Sequence, residues 1–270
     1  MRDILEEIVA RKRIEVEAAK RIKSLSELSH EADAYISSGT HVPIPMSESL
    51  ASSPSGIIAE FKRRSPSKGW IKEDGQPELI PPSYATNGAS ALSILTDEHY
   101  FGGRKEFVLT ARPLVGSVPI LRKDFIIDEY QLLEARTIGS DAVLLIASAL
   151  SLNECQTLAT TAHDLGLQTL LEIHTEKELD YVSENIDMVG VNNRHLGTFH
   201  TDVSTSFSLA DKLPDEFVLV SESGISNPKT VKELRAAGFR GFLIGEHFMR
   251  DDNPGESLRR FVEAVENKQQ

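Results

Sequence analysis

The sequence predicts an α/β protein, namely a closed (β/α)8 barrel in which eight parallel strands alternate with helices. From Gly56 onward, short runs rich in Ile, Val and Leu alternate with amphipathic stretches, the runs number eight, and their successive ends lie 20 to 35 residues apart. That spacing suits one strand, one helix and two loops per repeat. An open doubly wound sheet is the alternative, but no run is followed by a G-x-G-x-x-G or G-x-x-x-x-G-K-S/T phosphate-binding pattern.

Length and composition limit the classes of protein that remain. At 270 residues and 40% hydrophobic content, the chain can bury one large core, and we expect a single barrel domain over residues 1–270. The formal net charge of -12 argues against nucleic acid and anionic membranes as partners. No apolar run approaches the roughly 20 residues of a membrane helix, and the acidic N-terminus does not resemble a targeting peptide. The single cysteine, Cys155, excludes an internal disulfide, so we expect a soluble, cytoplasmic protein.

The first 55 residues predict a helical extension that precedes the barrel. Residues 1–24 carry apolar side chains at helical spacing, which predicts an amphipathic helix that packs on another surface. Residues 25–56 are rich in serine and contain three prolines, so we expect an irregular connection with one short helical piece.

The eight apolar runs are the predicted barrel strands. They span Gly56–Lys62, Ala91–Asp97, Val118–Phe125, Ala142–Ser148, Leu167–His174, Met188–Arg194, Phe217–Gly224 and Gly241–Phe248. Three of the intervening helices have clear sequence boundaries, because a capping residue precedes the apolar periodicity and a glycine follows it. The predicted caps are Asp128, Ser151 and Asn227, and the glycines are Gly139, Gly166 and Gly238.

Polar residues gather at the C-terminal ends of these apolar runs. In a barrel those ends converge at one opening, here called the mouth, where the βα loops supply catalytic groups. The residues are Glu60, Lys62, Lys123, Asp124, Glu172, Asn192, Arg194, Glu222 and Ser223. A single charged residue at a strand end is usually solvated, but charged or polar residues at the ends of five strands, with both signs of charge, predict a catalytic or binding site. Glu60 and Lys62 are two residues apart, so both should point into the mouth.

Two further features at the mouth predict the kind of ligand. Gly224 and Gly245 follow or interrupt the last two runs, where backbone amides can approach a phosphate and Ser223 can add a hydroxyl donor. Phe101 and Phe125 lie just beyond the second and third runs, where they either pack in the core or form a wall for a flat apolar ligand.

The residues alone thus predict a phosphorylated, sugar-like substrate. Lys123 between carboxylates such as Glu60 and Glu172 stays cationic and can give a proton to a developing oxyanion, so we expect proton transfer at a carbonyl carbon. Isomerase, lyase and aldolase chemistry all remain open. The histidine spacing supports no metal site, the sequence contains no G-x-S-x-G elbow, and we expect no cofactor.

Seven motifs resemble, in order and spacing, the indole-3-glycerol phosphate synthase family of tryptophan biosynthesis, over nearly the whole chain. They are IIAEFKRRSPSKGWI, ALSILTDEHYFGG, PILRKDFIIDEYQLLEAR, LLEIH, VGVNNR, SESGI and FLIGEHFM. The resemblance implies that residues 1–55 fold over the barrel mouth. It also implies cyclisation of 1-(2-carboxyphenylamino)-1-deoxyribulose 5-phosphate with loss of carbon dioxide and water, without cofactor or metal. Other enzymes of the tryptophan pathway are the implied protein partners.

The resemblance also implies catalytic roles. Lys123 would be the general acid that activates the ketone for attack by the aromatic ring, and Glu172 the general base of the later dehydration. Glu60 would position Lys123 or assist proton transfer. Lys62 would contact anionic groups of the substrate and is the alternative holder of an acid role.

The remaining positions that match the family are implied substrate contacts. Asn192 and Arg194 would hold polar groups, Ser65 would lie near the substrate carboxylate, Glu222 would shape the site, and Phe101 and Phe125 would line the aromatic pocket. The phosphate would meet Ser223, Gly224, Gly245 and Glu246. Many relatives have serine where this chain has Glu246, and a carboxylate repels phosphate, so we expect only the backbone amide of Glu246 to face the ligand.

Two other functions compete with this one. A different sugar-phosphate isomerase or lyase on the same barrel shares the phosphate site but needs no apolar wall. A barrel that binds an anionic metabolite without converting it would bind the ligand and form no product.

Overall fold

The computed structural model describes residues 4–195, 200–214 and 216–266 of the chain. The first three residues of the predicted N-terminal helix therefore lie outside the described ranges. Within them, none of the helices is long and apolar enough to cross a membrane.

Eight parallel strands form a closed barrel, and the predicted fold class is confirmed. Each strand pairs with the next one along the chain, and the eighth pairs with the first. The strands are β1 (Ile57–Phe61), β2 (Ala91–Leu95), β3 (Ile120–Lys123), β4 (Ala142–Ile146), β5 (Gln168–Ile173), β6 (Met188–Asn192), β7 (Val218–Glu222) and β8 (Gly241–Ile244). Every one lies within its predicted run. A short antiparallel hairpin follows β1, and its two strands, Arg64–Ser65 and Gly69–Trp70, have two residues each.

Helices precede and follow the strands. The α-helices are α1 (Ile4–Ile22), α2 (Leu25–Ser38), α3 (Met46–Ser52), α4 (Ile80–Thr86), α5 (Glu98–Phe101), α6 (Lys105–Ala111), α7 (Glu129–Thr137), α8 (Leu152–Asp164), α9 (Ser204–Ala210), α10 (Pro228–Ala236), α11 (Glu246–Met249) and α12 (Pro254–Glu266). Short 3-10 turns cover Arg112–Leu114, Ala147–Ala149 and Glu176–Tyr181. The predicted caps Asp128, Ser151 and Asn227 each accept a backbone hydrogen bond at the start of a helix.

Strand side chains alternate between two buried clusters, because successive residues of a strand point to opposite faces. Ile58 and Leu121 belong to the cluster inside the barrel, which residues of α1 and α3 join, whereas Ile57 and Leu92 belong to the cluster between the strands and the surrounding helices. Glu60 and Lys62 continue the inner face of Ile58. The strand geometry therefore directs both charged side chains into the barrel mouth.

The N-terminal extension contains more helix than predicted. The expectation of an irregular connection over residues 25–56 was wrong for α2, a helix of 14 residues. Helix α2 forms because a capping box stabilises its start. The Ser24 hydroxyl accepts a hydrogen bond from the backbone amide of Glu27, and the Glu27 carboxylate accepts one from the backbone amide of Ser24. That signal was present in the sequence. The short helical piece that was predicted is α3.

The three helices of the extension contact different parts of the barrel. On α1, Leu5 and Ile8 join a cluster with Phe125 at the mouth. Leu28 of α2 packs in a cluster with Tyr130 of α7, along the side of the barrel. At the opposite end, α3 lies under the strand starts, where the Ser47 amide donates to Gln168 Oε1 at 2.8 Å. Only the first of the three helices thus lies at the mouth.

A buried lysine fastens α1 to the loops that follow β2 and β3. Lys12 is 5% exposed, and its Nζ lies 2.9 Å from Asp97 Oδ2 and 3.0 Å from Asp124 Oδ1. Asp97 caps α5, which carries Phe101, and Asp124 directly follows Lys123. Burial alone would lower the pKa of Lys12, but the adjacent Asp124 and Asp97 carboxylates outweigh it and raise that pKa. The ammonium therefore stays charged and neutralises two buried carboxylates.

Replacing this lysine by methionine should destabilise the fold. Lys12→Met keeps the length of the side chain but leaves Asp97 without its cation in a dry environment, so we expect a loss of about 3–5 kcal/mol in the free energy of unfolding. Urea denaturation measures it. Lys23→Met, which removes an exposed lysine paired with Glu31, should cost less than about 1 kcal/mol. Equal effects of the two substitutions would contradict the buried ion network.

Candidate active site

A cavity of about 840 Å³ opens at the C-terminal ends of the barrel strands. It brings together 13 of the 14 residues singled out in the sequence as catalytic or substrate-binding. They are Glu60, Lys62, Phe101, Lys123, Phe125, Glu172, Asn192, Arg194, Glu222, Ser223, Gly224, Gly245 and Glu246. Ser65 is the exception.

Lys123 lies at the centre of the charged groups of the cavity. It ends β3 on the inner face, and its Nζ lies 3.4 Å from Glu172 Oε2 and 3.4 Å from Glu222 Oε2. Burial alone would lower the pKa of Lys123, but the negative charges of Glu222, Glu172 and Glu60 outweigh it and raise that pKa. Lys123 is therefore a cation at neutral pH, ready to donate a proton or hydrogen bond to a ligand oxygen.

Glu60 and Lys62 form an ion pair beside Lys123. Lys62 Nζ lies 2.5 Å from Glu60 Oε1, since the two residues are two apart at the end of β1 and point to the same side. Burial favours the protonated acid, but the charges of Lys62, Lys123 and Arg194 outweigh it and hold the pKa of Glu60 below its ordinary value. Gly245 leaves room for this carboxylate, because a Cβ at that position would lie 2.4 Å from Glu60 Oε1.

Glu172 is an ionised carboxylate with polar neighbours on the adjoining strand β6 and just beyond the end of its own strand. Asn192 Nδ2 donates to Glu172 Oε1 at 3.1 Å, and His174 Nε2 lies 3.5 Å from the same oxygen. Burial would raise the pKa of Glu172, but Lys123 and His174 together with the Asn192 hydrogen bond lower it. An ionised, oriented carboxylate next to a cationic lysine can accept a proton, as a general base must.

Glu222 differs from the other two carboxylates. Burial raises its pKa to about 8; Lys123 counteracts the rise, and the nearby charges of Glu172 and Glu60 add to it. Within the described ranges, neither Glu222 oxygen accepts a hydrogen bond of good geometry, and the Lys123 ammonium 3.4 Å from Oε2 is its ion-pair partner. Gly190 on β6 leaves room for it, since a Cβ there would lie 2.3 Å from Glu222 Oε1. Glu222 thus holds its proton near neutral pH, a property that its position at a strand end does not reveal.

The raised pKa of Glu222 predicts a dependence of stability on pH. Between pH 4.5, the ordinary pKa of glutamate, and about 8, the pKa of Glu222 in the fold, the folded protein binds a proton that the unfolded chain has released. The stabilisation that this proton provides is complete below pH 4.5 and is lost as the pH rises to about 8. Relative to Glu222→Gln, the wild type should lose up to about 1.4 kcal/mol per pH unit across the window. Urea denaturation of both proteins from about pH 5 to about pH 8 measures the difference. A difference that does not change with pH would show that Glu222 ionises normally.

The loop after β7 and the end of β8 form one side of the mouth. Ser223 has φ of 68° and Gly224 has φ of 77°, so two consecutive residues adopt the left-handed conformation. Ser223 is the one residue other than glycine with positive φ in the parts of the chain that the structure covers. Turns of this kind direct backbone amides towards an anion.

The Glu246 side chain lies between two arginines at the edge of the cavity. Its Oε1 is 2.7 Å from Arg250 Nη2 and its Oε2 is 3.9 Å from Arg194 Nη2. Arg194 also donates from Nε to Thr201 Oγ1 at 3.1 Å. The two guanidinium groups offset the negative charge of Glu246, which would otherwise repel a bound phosphate. That only the amide of Glu246 faces the ligand stays a prediction.

An apolar wall lies on the other side of the mouth. The rings of Phe101 and Phe125 have centroids 6.0 Å apart and are tilted by 40°. A small hollow next to the cavity shares these two rings and is lined by Ile4 and Leu5 of α1. Ser65 lines this hollow; it is 2% exposed, and its hydroxyl has no hydrogen-bond partner in the described part of the chain. A substrate group that reaches Ser65 must therefore extend past the rings.

Several lining residues were not predicted from the sequence. They are Ser67, Lys68, His200, Thr201, Ser226, His247 and Arg250, among others. Lys68 and Arg250 add positive charge, but each lies several residues beyond the end of a strand, so strand position could not select them. Among the described residues, no group of three or more His, Cys, Asp or Glu side chains is placed to hold a metal ion.

A closed parallel barrel with lysine and glutamate side chains in a cavity at its C-terminal strand ends defines the class of (β/α)8-barrel enzymes. Within that class, the family model described as indole-3-glycerol phosphate synthase matches residues 5–261. The chain belongs to this family, and the family prediction is confirmed.

Similar proteins that carry the name of the family cover nearly the whole chain. An indole-3-glycerol phosphate synthase of Bacteroides thetaiotaomicron is 59% identical over 266 residues, which are 98% of this chain and all of that protein. The protein of that name from Chromobacterium violaceum is 42% identical over 265 residues, 98% of this chain and 99% of that protein.

Solved structures of low sequence identity share the fold. A 3-hexulose-6-phosphate synthase from Salmonella typhimurium aligns with a TM-score of 0.62 at 11% identity, over 78% of this chain and 98% of that one. Tryptophan synthase subunit alpha from Legionella pneumophila aligns with a TM-score of 0.60 at 11% identity, over 83% of this chain and 99% of that one. At these identities the likeness concerns the barrel alone.

Proposed function

We propose that this protein is a carboxy-lyase that cyclises 1-(2-carboxyphenylamino)-1-deoxyribulose 5-phosphate to indole-3-glycerol phosphate, releasing carbon dioxide and water. Membership of the family supports the activity. The observation that carries the chemistry is the Lys123 ammonium, which lies 3.4 Å from both Glu172 and Glu222 in a cavity with an apolar wall. A cation next to a base can protonate the oxygen of the ketone and later help to remove that same oxygen as water.

The cavity suggests how the substrate lies. The phosphate would contact the Ser223–Gly224 turn, Gly245 and the amide of Glu246, where Arg250 adds positive charge. The aromatic ring would lie against Phe101 and Phe125, on the opposite side of the mouth. Between these two ends, the ketone carbon would lie next to Lys123, while Asn192 and Arg194 would contact the polar groups of the chain. The substrate carboxylate would extend towards Ser65.

Cyclisation would begin with a proton from Lys123. As the ring carbon that bears the carboxyl group attacks the ketone carbon, Lys123 protonates the ketone oxygen and a carbon–carbon bond forms. Carbon dioxide then leaves, and the electron pair of its broken bond restores the aromatic ring. An apolar wall around the ring favours this step, since it shields the charge-separated intermediate from water.

Dehydration would complete the reaction. The hydroxyl group made from the ketone leaves as water after it receives a proton from a lysine, while Glu172 removes a proton from the substrate to form the double bond of the indole. Lys62 is the second cation near this position, and its ion pair with Glu60 at 2.5 Å supports a role for Glu60 in orienting Lys62. Lys123 and Lys62 are thus the two candidate acids of this step.

The second candidate function is a sugar-phosphate isomerase, which the same phosphate turn and carboxylates would support. The two phenylalanine rings at the mouth favour the synthase, because an isomerase of plain sugar phosphates has no aromatic group to bind. As protein partners we propose other enzymes of the tryptophan pathway, which could pass on this substrate or take up this product.

Substrate choice tests the proposal. The purified protein is mixed either with the carboxyphenylamino ketose phosphate or with plain pentose and hexose phosphates, and indole fluorescence and sugar interconversion are followed. We expect indole fluorescence to grow with the first substrate and no interconversion of the others. Interconversion of plain sugar phosphates without indole formation would replace the synthase by the isomerase.

A further inference from the structure

We propose that Asn193, which lies outside the cavity, is a positioning residue that holds the Ser223–Gly224 turn in the shape that binds phosphate. The inference rests on the phosphate site of the proposed function. Its neighbour Asn192 points into the cavity, so Asn193, the next residue, points to the opposite side, towards the layer between strands and helices. Asn193 is 3% exposed.

The amide nitrogen of Asn193 holds the backbone of the turn from behind. Its Nδ2 donates to the carbonyl oxygen of Glu222 at 2.9 Å and to that of Ser223 at 3.1 Å, and lies 3.0 Å from Ser221 Oγ. The backbone amide of Asn193 also donates to the Glu222 carbonyl at 2.9 Å. One residue at the end of β6 thus fixes two successive carbonyl groups where β7 enters the turn.

The other end of the same side chain is fixed by α9. Asn193 Oδ1 accepts hydrogen bonds from the Ser206 amide at 3.0 Å and from the Ser206 hydroxyl at 2.9 Å. Because the oxygen faces two donors and the nitrogen faces carbonyl oxygens, only one orientation of the amide satisfies every partner. The bridge therefore links β6, α9 and the phosphate turn through one rigid group.

The turn needs such a support because its backbone is strained. Ser223 has a positive φ, which residues with a Cβ disfavour, and such a conformation persists where surrounding contacts hold it. Gly224, the next residue of the turn, lies so close to Thr201 that a Cβ at this position would be 2.7 Å from the threonine methyl group. Losing the Asn193 bonds should let the turn relax, and the amides that face the phosphate would move apart.

Two substitutions of Asn193 test the proposal. Asn193→Asp places a carboxylate oxygen against two carbonyl oxygens, and Asn193→Leu removes the donors at similar size without adding charge. For both we expect KM for the ketose phosphate and the inhibition constant of inorganic phosphate to rise together by about 10-fold or more, with kcat within about 3-fold of wild type. A rise in the aspartate variant alone would mean that added charge, not lost positioning, weakens phosphate binding, and would overturn the proposal.

Controls separate this result from general damage. Asn153→Asp makes the same change at an exposed position of α8 that does not line the cavity, and should leave all three constants unchanged. If both Asn193 variants fail to fold, Ser206→Ala, which removes one hydrogen bond to Asn193 Oδ1, should still raise both constants by about 2- to 10-fold. Unchanged phosphate inhibition, or a fall confined to kcat, would overturn the inference. The proposed function fails separately, if the wild type itself does not convert the ketose phosphate.

Discussion

Lys123→Met is expected to lower kcat by about 10²- to 10⁴-fold, the usual contribution of a positioned general acid. Methionine fills similar space but has no proton to give, and it leaves Glu172 and Glu222 facing each other without the cation that lies 3.4 Å from each. The loss should appear in kcat rather than in KM, because the proton is needed only as charge develops on the ketone oxygen. Progress curves of indole fluorescence measure both constants.

A matched control uses an exposed lysine that does not line the cavity. The Lys229 side chain on α10 is 80% exposed, so Lys229→Met should retain wild-type kcat. Lys62→Met, compared under the same conditions, decides which lysine is the first acid. Turnover that survives Lys123→Met but is abolished in Lys62→Met would move the acid role to Lys62.

Glu172→Gln should be nearly as damaging, but at a later step. Glutamine keeps the shape of the side chain and can still accept the Asn192 hydrogen bond, yet it cannot take up a proton. We expect kcat to fall by about 10²- to 10⁴-fold while an intermediate that has lost carbon dioxide but not water accumulates. Rapid quenching followed by mass spectrometry detects that species.

The control for this substitution is Glu106→Gln, on the exposed face of α6, which should neither slow turnover nor lead to accumulation. If Glu172→Gln instead stopped the reaction with the substrate intact, Glu172 would act in ring closure and not in dehydration.

The barrel could be predicted from the sequence because its strands are buried on both faces. Runs such as Ala142–Ile146 are continuously apolar, and a parallel barrel is the fold that requires eight of them. Their final residues also placed Glu60, Lys123 and Glu172 at one opening, since all parallel strands end on the same side. Strand periodicity, together with the family motifs, therefore accounts for most of the candidate site.

The remaining features depend on contacts between segments far apart in the chain. Lys12 looks like one of several lysines of an amphipathic helix, and only the fold brings it to Asp97 and Asp124. Asn193 cannot be distinguished from Asn192 by residue type, although one faces the cavity and the other faces α9. The protonated state of Glu222 arises from burial and from two other carboxylates, which no local pattern encodes.

The most direct test of the proposed function is the stoichiometry of carbon dioxide and indole-3-glycerol phosphate from substrate labelled at the aromatic carboxyl group. The wild-type protein is given this ketose phosphate, and labelled gas and product are quantified together. We predict one labelled carbon dioxide for each indole-3-glycerol phosphate formed, with neither produced by Lys123→Met on the same timescale. A folded wild-type protein that binds the substrate but releases no label and forms no indole would contradict the proposal and leave a barrel that only binds the metabolite.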